Sequence, residues 1–111
     1  MAEAKLKASI WVAAALRQGG LVNKPGILVR RGDPDAGGII VKLYGRLGCV
    51  VLSRFRAMDG GLSWLRATGP DPVEEAVADA YIAKQIRVDP DLWILEFDTP
   101  DFMPPFEGRI I

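Results

Sequence analysis

Apolar side chains run almost unbroken from Ile39 to Tyr44 and from Cys49 to Phe55, with Gly45-Arg46-Leu47-Gly48 between them. Two short apolar runs joined by a glycine-bounded break predict a β-hairpin. Its register decides which side chains share a face, because a slip of one residue turns a strand's faces over. A three-residue turn, Arg46-Leu47-Gly48, sets Gly45 opposite Cys49 and gathers Ile39, Val41, Leu43, Cys49, Val51, Ser53 and Phe55 on one nearly pure apolar face. Ile40, Lys42, Tyr44, Val50, Leu52, Arg54 and Arg56 then form a second face, amphipathic and half covered. A two-residue turn would mix Lys42 into the better face. The longer turn is therefore expected, with Gly48 in the left-handed conformation it favours.

The flanking segments follow from similar patterns. Ser9–Gln18, rich in alanine and stopped by Gly19-Gly20, predicts a helix. Ile27–Arg31 predicts a strand, Gly32–Gly38 a turn, and Leu62–Arg66 a further strand after the Ala57–Gly61 turn. Asp71-Pro72-Val73-Glu74 has the form of a helix start: a capping carboxylate, proline at the first helical position and a capping-box glutamate. A helix over Pro72–Arg87 is expected. Its apolar stripe runs through Val73, Ala76, Val77, Ala80, Ala83 and the stem of Lys84, widened by Tyr81, Ile82 and Ile86. Leu92–Phe97 is apolar on both faces and suits a central strand better than an edge. Residues 98–111 hold three prolines and no periodicity, yet Phe102, Met103, Phe106, Ile110 and Ile111 make them too apolar for a free linker. The expected fold is α+β: about five mostly antiparallel strands with two helices packed on the sheet. Residues 1–97 form a single domain in this reading, and the tail packs on it or on a partner.

Composition narrows the chemistry. The chain has 111 residues, about one domain's length, with half of them hydrophobic. It has no histidine, which removes His-based nucleophile activation and His metal ligation. The single cysteine, Cys49, falls on the predicted core face and reads as an inert buried thiol. No apolar run reaches the ~20 residues that span a bilayer, so no membrane partner is expected. Lys5 and Lys7 precede the apolar stretch Ala8–Leu16, but Arg17 follows directly and the stretch is short for a signal peptide. A cytoplasmic protein is expected. Net charge is zero, but the signs are segregated: residues 1–70 carry eleven basic side chains against four acidic, and residues 71–111 three against ten. Such asymmetry suits halves that offset each other in one fold, a charged partner, or complementary association between copies of the chain.

No motif assembles a catalyst. The Asp-Pro-Asp tripeptides at 33–35 and 89–91 read as turn chemistry, and a divalent-ion site on Asp33, Asp35, Asp89 and Asp91 would need both turns to meet. Gly37-Gly38 and Gly60-Gly61 lack the following helix and spacing of a phosphate loop. Trp11, Trp64 and Trp93 read as core anchors. No cofactor and no metal are expected, and the residues point away from an enzyme. Arg30, Lys42, Arg54, Arg56 and Arg66 lie on predicted strands and are the candidate anion-binding residues. Tyr44, Phe102, Met103 and Phe106 are the candidate interface residues, because apolar surface beyond the needs of one core tends to be an interface.

Several segments together resemble a family of small bacterial proteins of unknown function. They are Ser9-Ile10-Trp11-Val12 with Leu16-Arg17, Arg30-Arg31-Gly32-Asp33 with Ala36-Gly37, and Ala78–Ala83 running on to Asp89-Pro90-Asp91-Leu92-Trp93-Ile94 with Glu96. The resemblance implies a bacterial, cytoplasmic, single-domain protein and brings no activity, substrate or cofactor. The leading expectation is a non-enzymatic interaction module, a homodimer or an assembly subunit, with itself or another protein as partner. The alternative is an anion or nucleic-acid binder using a basic sheet face, with nucleic acid the less favoured partner.

Overall fold

The computed structural model of the chain describes residues 6–111; Lys5, the first cation of the N-terminal stretch, lies outside them. Helix α1 spans Ala8–Leu21 and strand β1 Gly26–Arg30. Strands β2 (Ile39–Gly45), β3 (Gly48–Arg56) and β4 (Leu62–Arg66) follow, then helix α2 (Glu75–Val88). The chain ends with β5 (Trp93–Asp98) and the two-residue β6 (Arg109–Ile110). The strands form one sheet in the order β1-β5-β2-β3-β4-β6.

This α+β fold differs from the expected one in strand number and direction. There are six strands, and β2/β5 and β4/β6 pair in parallel while the other three pairings are antiparallel. The cause is the connection. β2, β3 and β4 succeed one another through short turns and so must alternate in direction. α2 then carries the chain back across the sheet, and β5 enters beside β2 running the same way. β5 is an inner strand, flanked by β1 and β2, as its apolar faces require. β6 escaped prediction because two residues carry no periodicity; Ile111 N–H donates to the Trp64 carbonyl at 2.7 Å and fixes it against β4.

The hairpin register is the second correction. Gly45 pairs with Gly48 and Tyr44 with Cys49, so the turn is the two-residue Arg46-Leu47. Ile40 and Lys42 therefore share the α2 face with Cys49 and Val51, while Ile39, Val41 and Leu43 share the α1 face with Val50 and Leu52. The expectation weighed a core face against a half-wet one, but a helix covers part of each, and both are apolar. With no face to keep wet, the pattern loses its power to choose. What fixes the turn instead is an antiparallel bridge between Cys49 and Val73, with N–H···O distances of 2.7 and 2.8 Å. Gly48 has φ +127°, and a Cβ there would collide with the Val73 carbonyl, so glycine is needed on both counts.

The same bridge moves the start of α2. It holds Val73 extended, so the helix begins at Glu75, with Glu74 as an N-cap that makes no side-chain capping bond. The capping role read for Asp71 and Pro72 is not used. The buried stripe is Ala78 and Ile82 with Tyr81 and Ile86, whereas Val77 and Ala76, Ala80, Ala83 and Lys84 face outward. Tyr81, Ile82 and Ile86 of the expected stripe are on the covered side, but alanines are almost neutral markers of a face and do not identify it. α1 also runs three residues past its expected end: Gly19 is buried within it, close under the Phe97 ring, and acts as a packing residue rather than a stop.

Two hydrophobic clusters result. On the α1 side Val12 and Ala15 meet Val41, Leu43, Leu52, Trp64, Trp93, Leu95 and Phe97. Phe106 of the tail packs there too, with ring centroids 5.1 Å from Trp11, 4.8 Å from Trp64 and 5.9 Å from Phe97. On the α2 side Ala78 and Ile82 meet Ile40, Cys49, Val51 and Ile94. Among the described residues no helix is long and apolar enough to cross a membrane.

Candidate functional site

α2 lies over β3 and reaches Ile40 of β2 and Ile94 of β5, so on that face it is β1 that carries no helix among the described residues. Two depressions follow this uncovered strip. One, of about 430 Å³, is lined by Pro25, Ile27, Tyr44, Glu75, Glu96 and Asp98. The other, of about 270 Å³, is lined by Val29, Ile82, Ala83, Ile86 and Ile94, with Lys42, Asp79 and Glu96 at its end. Glu96 belongs to both, so they form one groove, acidic at one end and aliphatic at the other, with β1 and α2 as its walls.

Lys42 sits at the junction. It is the only buried charged side chain among the described residues. Its Nζ lies 2.7 Å from Glu75, 2.8 Å from Asp79 and 3.2 Å from Glu96. Glu75 and Asp79 are one turn apart on α2, and Glu96 is opposite Lys42 in the β2/β5 pair, so helix and sheet converge on one ammonium. Burial alone would push the Lys42 pKa down, but the hydrogen bonds its ammonium donates to Asp79, Glu75 and Glu96 outweigh it and hold the group well above the ordinary lysine range. A lysine held protonated has no free lone pair for nucleophilic or base chemistry. Here it fastens α2 to the sheet and leaves the groove with more carboxylates than its own cation neutralises.

The five predicted cations do not converge. Arg54, Arg56 and Arg66 share the α1 face at the β3–β4 hairpin. The Arg54 guanidinium lies 5.3 Å from the Trp11 ring centroid, and Arg56 donates to the Gly60 carbonyl. Lys42 is on the opposite face, and Arg30 donates to the Pro90 and Leu92 carbonyls at 2.7 and 2.9 Å. Of the predicted interface residues, Tyr44 is exposed and lines the groove. Met103 is exposed on the Lys24 side, while Phe102 and Phe106 pack against the α1-side core.

The remaining candidates are engaged locally. Asp33 accepts from the Asp35 and Ala36 N–H groups at 2.9 Å, which holds its carboxyl below the usual range, and Asp89 accepts from the Asp91 N–H. The two Asp-Pro-Asp loops do meet, through the Asp33 N–H and the Asp91 carbonyl, but the Asp33 and Asp89 carboxylates turn onto their own loops and Asp35 lies 3.7 Å from Lys7. Among the described residues no group of acidic or cysteine side chains is arranged to hold a metal ion. Cys49 is fully buried, and burial raises its thiol pKa.

The family model described as "Protein of unknown function (DUF1491)" matches residues 6–107. The chain belongs to DUF1491. The crystal structure of a DUF1491 family protein from Caulobacter crescentus CB15 superposes with a TM-score of 0.85 at 29% identity, covering 96% of this chain and 100% of that one. The NMR structure of a DUF1491 protein from the same organism gives 0.85 at 28% identity, over 98% and 99% of the two chains. The solution structure of Atu0922 from A. tumefaciens, 18% identical over 95% of each chain, shares the fold with a TM-score of 0.77. No curated protein matches. The DUF1491 membership thus agrees with the resemblance read from the sequence and supplies no activity. What sequence reading missed in this DUF1491 chain is the Lys42 cluster. Its signal was present: a lysine inside an apolar strand, and two acids four apart on a helix.

Proposed function

We propose that this DUF1491 protein is a non-enzymatic interaction module that assembles with further copies of itself, and that the uncovered strip beside β1 is where contact forms. The observation that carries this reading is the edge strand: Ile27 and Val29 are 59% and 55% exposed, next to a groove floored and walled by Ile94, Ile82 and Ile86. An unpaired strand edge with aliphatic side chains is a template for association unless something covers it. Each such side chain gains about 1.5–3 kcal/mol when fully buried. Zero net charge gives copies no overall repulsion to overcome. The alternative, an anion or nucleic-acid binder, has to rest on Arg54, Arg56 and Arg66 alone, of which two are already engaged.

Light scattering over a concentration series tests the proposal. The wild-type mass should rise above the monomer value with concentration. Ile27→Lys and Val29→Lys, solvated substitutions that suit an edge strand, should each shift the equilibrium toward monomer. A wild type that stays monomeric throughout sinks the reading.

A further inference from the structure

We infer that the occupant of the groove is the outer side of α1 from another copy, a contact between two different surfaces of the same chain. This deepens the association proposed above and depends on it. Along α1, Ile10, Ala13, Arg17 and Leu21 recur at spacings of three and four and so form one stripe, with Leu6 just ahead of the helix. Leu6, Ile10 and Leu21 are among the large hydrophobic side chains left in solvent. α1 contains no acidic residue, and Arg17 has no carboxylate partner among the described residues. The outer side of α1 is thus aliphatic with a single available cation. The groove is its complement: Ile27 and Val29 are its exposed aliphatic side chains, beside the buried Ile82 and Ile94, and it is acidic at Glu75, Glu96 and Asp98.

Like-with-like pairing is disfavoured, since groove on groove sets carboxylates against carboxylates and α1 on α1 sets Arg17 against Arg17. A head-to-tail contact instead sets Arg17 against Glu75, Glu96 and Asp98. Such a contact, unlike a two-fold one, closes into a ring or propagates.

Charge reversal with rescue tests it, by sedimentation or light scattering at low and high salt. Arg17 and Asp98 are both exposed, so neither substitution disturbs the core. Arg17→Glu and Asp98→Lys should each weaken association about tenfold or more, and the double variant should recover to within about threefold of wild type. Single variants that assemble like wild type, or a double variant weaker than either, overturn the α1 assignment. If those variants behave like wild type while Val29→Lys still weakens assembly, the groove reading survives without α1. A monomeric wild type overturns both.

Discussion

Lys42 shows how a single charge can be buried without being a defect. Desolvation disfavours the ammonium, and three carboxylates from two elements more than compensate. Lys42→Met removes the centre and leaves Glu75, Asp79 and Glu96 facing one another. Because Glu75 and Asp79 are more than half exposed, the loss should be about 1–3 kcal/mol rather than that of a fully buried pair, read by urea unfolding. The pH dependence has a definite sign. A lysine raised on folding contributes its full stabilisation below its unfolded value of about 10.4, and loses it as pH rises through the higher folded value. The gap between wild type and Lys42→Met should therefore stay level from about pH 6 to 9 and close only in strong alkali. A gap that already closes between those values would mean that the carboxylates do not hold the lysine as described.

At the level of elements, glycines separate what sequence could and could not tell. Gly19 and Gly20 look alike as a helix stop, yet both are helical: a Cβ at Gly19 would strike the Lys24 carbonyl and the Phe97 ring, and one at Gly20 meets nothing. Gly19→Ala should cost about 1–3 kcal/mol and Gly20→Ala should gain about 0.5–1 kcal/mol, both measurable by denaturant midpoints. The strands were legible because apolar runs and turn residues mark them locally, and β4 matches its expected span. The register and the start of α2 were not, because each depends on Val73 meeting Cys49 across the fold, and of the stripe on α2 only Tyr81, Ile82 and Ile86 were legible. The candidate site was half legible. Tyr44 and Lys42 were singled out, but their acidic neighbours come from α2 and β5, and only the parallel crossover brings those together.

For the whole molecule, segregated charge and the sheet order have a common logic. The basic first part and acidic last part are interleaved, with β5 seated between β1 and β2. β1 is complete at Arg30, but its one sheet neighbour among the described residues begins at Trp93. β1, one of the two outermost strands, is therefore the first strand to leave the ribosome yet must wait for a distant partner, while the β2–β3 hairpin closes locally. In pulse-labelled refolding, β1 amides should gain protection with those of β5 and after the hairpin; protection of β1 ahead of β5 would refute that sequence of events. The same wait bears on the association proposed above: a nascent or half-finished chain has no walled trough to offer a neighbour, so on that proposal only fully matured copies would be competent to join.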